Sequence, residues 1–68
     1  MRELKTLTGR TVIVATSETA IRGVVESATR SFVTLVEAES LEESQPVKIA
    51  GFVLVPVPRV VYVQVVPR

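Results

Sequence analysis

Apolar and polar positions alternate along most of this chain with a period of two, the spacing of half-buried strands rather than of an amphipathic helix. Residues 10–15 read Arg-Thr-Val-Ile-Val-Ala and set Val12 and Val14 on one face. The polar run Thr16-Ser17-Glu18-Thr19 then turns the chain. It lacks the Asn-Gly of a tight hairpin, so a four-residue connection is expected. Residues 20–27 return as a second strand, and symmetric closure places Val14 opposite Ile21 and Val12 opposite Gly23. A glycine inside a strand marks a bend, a bulge or a close backbone approach, and a small barrel needs such a bend to close.

Residues 28–31, Ala-Thr-Arg-Ser, form the next turn, and residues 32–38 the third strand. Two registers are open. A two-residue turn pairs Glu37 with Arg22; a three-residue turn pairs Leu35 with Val25. The second is favoured, because apolar burial outweighs a surface ion pair. Glu39 to Pro46 breaks the alternation and reads as an acidic loop. Residues 51–55 and 60–66 complete a set of five strands. Between them Pro56-Val57-Pro58-Arg59 makes a tight turn that cannot pair as a central strand. Ahead of everything, residues 2–7 predict a short helix with Leu4 and Leu7 on one face and Gly9 at its end. It is too short to stand alone and must cap something apolar.

The last two strands are apolar on both faces. Val61, Val63 and Val65 lie on one side, with Val60, Tyr62, Gln64 and Val66 on the other. Such strands need cover on both sides. One small barrel supplies an inside, and a second copy is the simplest outside; bare edges of this kind aggregate. The expected subunit interface is therefore Phe52, Val53, Leu54 and Val55 on one strand and Val61, Tyr62, Val63 and Val65 on the other. Length points the same way. Sixty-eight residues make one small domain, and a chain of that size buries only about 60% of its unfolded surface.

Composition narrows the chemistry. Fifteen valines and seven threonines favour an all-β fold, because Cβ branching suits a pleated surface. Cys, His, Asp, Asn and Trp are absent. That removes disulfides, thiolate or imidazole metal sites, and triad or Cys-His catalysis, so neither an enzyme nor a cofactor is expected. Glu37, Glu39, Glu42 and Glu43 form a candidate hard-cation cluster, yet without Asp, Asn or a loop glycine a solvated loop is the expected reading. Glu26 and Glu37 as a hydrolytic pair would need a cleft that nothing in the pattern supplies. Eight Lys+Arg against seven Glu give a net charge of +1, too little for bulk attraction to nucleic acid or membrane. From Ile49 to Pro67 only Arg59 is charged, but Pro56, Pro58 and Arg59 interrupt that run and argue against a membrane span. The first residues lack the apolar core of a signal peptide, so a soluble, cytoplasmic protein is expected.

A short helix, a glycine, and five strands with a bend-forming Gly in the second and a very short last link resemble the Sm-like family. The segments that carry the likeness are Leu4 to Val14, Ile21-Arg22-Gly23-Val24-Val25, Phe32-Val33-Thr34-Leu35-Val36, Ile49 to Val55, and Pro56 to Val65. The tail around Val55-Pro56 and Tyr62-Val63-Gln64-Val65 is most similar to bacterial or phage members. The resemblance implies a small, strongly bent five-stranded SH3-like barrel whose fourth strand pairs with the fifth strand of the next subunit. Rings of about five to seven copies would follow, with single-stranded RNA near the pore.

The RNA-binding set departs from the family pattern. The Asp position falls on Ala28 or Thr29 and the Asn position on Phe32 or Val33. The basic residue before the second motif's glycine is Ala50, although Gly51 remains and Lys48 lies two residues earlier. The remaining nucleic-acid candidates are Arg30 for phosphate or stacking, Phe32 for stacking, the Thr29 and Ser31 hydroxyls, Lys48 and Gly51. Each has a plainer alternative. Arg30 reads more readily as a solvated turn residue, and a Phe that opens a strand more often packs in a core or subunit interface. Two functions therefore stand: an RNA-binding ring, and a structural or adaptor oligomer that has lost the base-reading residues.

Overall fold

Six antiparallel strands form a single curled sheet in the computed structural model, which describes residues 5–42 and 44–67. They are β1 (Thr11–Thr16), β2 (Ala20–Ala28), β3 (Phe32–Ser40), β4 (Val47–Ile49), β5 (Val53–Pro56) and β6 (Val60–Val65). The order across the sheet is β4-β3-β2-β1-β6, and β5 pairs with β3 beyond β4. Apolar alternation selected the hairpin registers. Val14 faces Ile21 and Val12 faces Gly23, while Val25 faces Leu35, the pairing favoured over the Arg22–Glu37 alternative. Nearer the turn a bulge at Glu26 shifts the register, so that Ala28 faces Val33 across four residues and not the expected three. Val12, Val14, Val25, Val33 and Leu35 are the largest fully buried side chains. Ala28, Ala38 and Val55 complete that core. Each buried Val or Leu contributes about 1.5–3 kcal/mol relative to exposure.

The sheet folds over along one line that crosses three strands. In β2 the single residue Gly23 lies between the pairs Arg22–Glu39 and Val24–Val36 and so faces two residues of β3. On the other side of β3, residues 36–37 lie between the pairs Leu35–Val53 and Ala38–Ile49 and face the three residues 50–52. Glu37 adopts φ 52°, and Gly51 adopts φ 81°. The extra residue changes the side-chain parity, so that Leu35 and Ala38, three apart, are both buried. A Cβ on Gly23 would lie 3.1 Å from the Leu35 Cβ and 3.2 Å from the Val36 carbonyl oxygen. Only glycine lets the two layers approach this closely.

Four sequence expectations are corrected. The barrel is not closed, because β5 and β6 do not pair with each other among the described residues and the curled sheet keeps a seam between them. The three-residue link Val57–Arg59 is a 3-10 turn that sends its flanking strands to different partners, β5 to β3 and β6 to β1. The strand expected over 51–55 begins at Val53, since Gly51 sits in a left-handed conformation that ends pairing. The loop expected over 39–46 is shorter. β3 runs to Ser40, and β4 pairs with its last three residues; three residues are too few for alternation to reveal. Finally, of the helix expected over 2–7, residues 2–4 lie outside the described residues. Thr6 to Gly9 is a run of turns closed by the Arg10 N–H donating to the Leu7 carbonyl at 2.8 Å.

Candidate functional site

The β2–β3 turn is held by its own threonine. The Thr29 Oγ1 accepts from the backbone N–H of Ser31 at 3.2 Å and of Phe32 at 3.1 Å. The Thr29 N–H donates to the Phe32 carbonyl at 2.8 Å. The Thr29 hydroxyl is therefore spent on turn geometry, the common role of Thr at such a corner. Arg30 and Ser31 are exposed at the tip, so their side chains are presented by a fixed frame.

A second turn braces the first. The Val57 N–H donates to the Ser31 carbonyl at 2.9 Å, locking the 3-10 turn Val57–Arg59 against the tip. Arg59, on that turn, lies 4.0 Å from the Glu18 carboxylate in the β1–β2 turn, with both side chains largely exposed. Such a pair is worth little in water. The lip formed by these two turns carries Arg30 at its exposed tip, while Arg59 is directed to Glu18. In the sequence Arg59 stands out only as the lone charge in an apolar run, and no local signal ties residue 31 to residue 57.

Lys48 and Gly51 do not join this lip. Lys48 pairs with Glu39 near the far end of β3, roughly 20 Å from Phe32 measured along the strand. Gly51 lies in the break between β4 and β5. The six expected nucleic-acid residues are therefore one cluster, Thr29 to Phe32, and two outliers.

The interface candidates divide by face. Val55 is buried in the chain's own core, and Val53 and Val63 pack against it. Inward parity turns those three side chains toward the core, Val55 fully and Val53 and Val63 in part. Leu54, Val61 and Tyr62 remain 55%, 66% and 56% exposed, and Phe52 and Val65 are exposed too. Alongside β5 the seam opens into a depression of about 370 Å³, walled by Ile21, Val53, Leu54 and Pro56, with Glu18 and Arg59 at its rim.

Nothing else gathers chemistry. Among the described residues no group of three His, Cys, Asp or Glu side chains is placed to hold a metal ion; Glu43 lies outside them. Glu26 accepts from the Ser27 hydroxyl at 2.9 Å. Among the described residues no helix is long and apolar enough to cross a membrane.

No family model and no curated protein matches the chain. Among solved structures it is similar to the crystal structure of a heptameric archaeal Sm protein. The TM-score is 0.83 at 25% identity over 98% of this chain and 100% of that one. The fold is therefore Sm-like.

Proposed function

We propose that this chain is the repeating unit of a homo-oligomeric Sm-type ring in which β6 of one copy pairs with β5 of the next. The observation that carries the reading is the unequal treatment of the three unpaired strand edges. β4 is blunted in the usual ways: it has three residues, follows Pro46 and carries Lys48 at its centre. β5 and β6 carry no charge at all; β5 offers four residues with a proline only at its last position, and β6 six residues without one. Two bare edges on opposite sides of the seam form a head-to-tail interface, which closes into a ring when the rotation permits. The heptameric state of the similar archaeal protein agrees with this.

Within the ring, the exposed Arg30 repeats once per copy and supplies a local positive charge that a net charge of +1 does not otherwise give, whereas Arg59 is offset by Glu18. Single-stranded RNA held by its phosphates is the ligand this favours, with the cytoplasm as working compartment and no catalytic step. An adaptor ring without RNA is the second reading. It is favoured by the engagement of the Thr29 hydroxyl inside its turn and by the lack of Asp and Asn there.

Native mass spectrometry tests the assembly. A closed species of about five to seven copies of the 7.4 kDa chain is expected, and a monomer at every concentration refutes it. Fluorescence anisotropy with U-rich and A-rich oligonucleotides separates the two readings. Binding at about 50 mM salt that fades as salt rises supports RNA; no binding there leaves the adaptor.

A further inference from the structure

We infer that Tyr62 of one copy seats on Phe32 and Leu54 of the next, so that Phe32 belongs to the assembly surface and not to a base-stacking site. The inference rests on the edge pairing proposed above and follows from side-chain parity. In β3, Val33 and Leu35 point into the core and are fully buried, so Phe32 and Thr34 stand on the convex face. β5 pairs Leu54 with Thr34 and Pro56 with Phe32, which puts Leu54 on that same face, diagonal to Phe32. Diagonal neighbours are within reach of an aromatic ring. In β6, Val63 pairs with buried Val14 and packs on the core, so Tyr62, one residue earlier, is convex as well.

When β6 of a second copy continues the sheet beyond β5, the faces of the sheet continue with it. A convex Tyr62 must then lie opposite Leu54 or Pro56, the convex positions of β5, and Phe32 is the diagonal neighbour of the first and the direct partner of the second. Phe32 is 42% exposed, and Leu54 and Tyr62 more than half exposed, which is large for side chains of this size. None of the strand positions involved is charged, so the contact desolvates no ion. A buried tyrosine flanked by apolar side chains is the usual anchor of a protein interface.

Tyr62 is the only tyrosine and tryptophan is absent, so intrinsic fluorescence reports on this residue alone. Acrylamide quenching of the assembled protein, and of the same protein diluted to free chains, is the test. Tyr62 should be protected in the assembly and become accessible on dilution. Tyr62→Ala and Phe32→Ala should each weaken assembly by about thirtyfold or more per interface. Phe32→Leu, which keeps apolar area, should retain most of it, and circular dichroism should show the strands intact. A ring in which Tyr62 quenches as freely as in the single chain, or in which a folded Phe32→Ala variant assembles normally, overturns the inference while the ring reading stands. A wild-type chain that never assembles overturns both.

Discussion

Replacing Gly23 by Ala tests the claim that one atomic contact sets the bend on which the seam depends. The new Cβ would sit 3.1 Å from the Leu35 Cβ, 3.2 Å from the Val36 carbonyl oxygen and 3.4 Å from the Ala38 Cα. Two of those atoms are backbone, and Leu35 is fully buried, so none can move freely. Overpacking of this kind costs about 1–3 kcal/mol. Removing a glycine from the unfolded chain returns about 0.4–1 kcal/mol. The net loss should be about 1–2 kcal/mol, or a fall in Tm of about 5–15 °C for a domain of this size.

Urea unfolding followed by far-ultraviolet circular dichroism, at one fixed protomer concentration, measures it. Gly51 is the control, because its Cβ would meet nothing within 4 Å while its φ of 81° disfavours any L side chain. Asn tolerates that conformation better than Ala. Gly51→Asn should therefore lose less than Gly51→Ala, and Gly23→Asn more than Gly23→Ala. A Gly23→Ala chain as stable as wild type would refute the account, since the layers would then have room to part.

Three further outcomes follow from particular residues. Glu37 sits at φ 52° without being glycine; Glu37→Gly should be close to neutral in urea unfolding, whereas Glu37→Val should lose about 1–3 kcal/mol, and equal effects would mean the bulge carries no strain. Thr29→Ser should keep the turn and Thr29→Val should lose about 0.5–1.5 kcal/mol, with oligonucleotide affinity following only the stability change if the hydroxyl serves the turn alone. If RNA binds, Arg30→Ala should lower the slope of log K against log salt by roughly 0.7 for each copy that touches a phosphate. An unchanged slope would remove Arg30 from the ligand.

Much of the site was out of reach of local reasoning for a definable cause. The tip Thr29 to Phe32 was visible because its residues are contiguous and polar between two apolar runs. Arg59 was not linked to it, because the Ser31–Val57 hydrogen bond joins residues 26 positions apart. Lys48 and Gly51 join the tip by motif order alone; in the structure Lys48 lies beside Glu39 near the far end of β3, and Gly51 lies at the bend opposite residues 36–37. The eight expected interface side chains come from both faces of the last two strands, because alternation alone does not say which face turns inward. Burial of Val55, with Val53 and Val63 packed on the core, shows that half-exposed strands must be read by parity and not by composition.

What the chain's own order of residues determined is the all-β class, the β1–β2 register, the Val25–Leu35 pair and the site of the bend. Those features follow from period-two alternation and from a glycine at one place in it, both readable within a dozen residues. The tertiary structure alone decided that β4 and β5 share one edge of β3, that the sheet stays open between β5 and β6, and which turns meet at the lip. Each of these depends on pairing between distant segments and on a bulge at Glu37 that reverses the side-chain alternation. A one-residue slip is invisible in a pattern of valines, yet it exchanges the buried face for the exposed one.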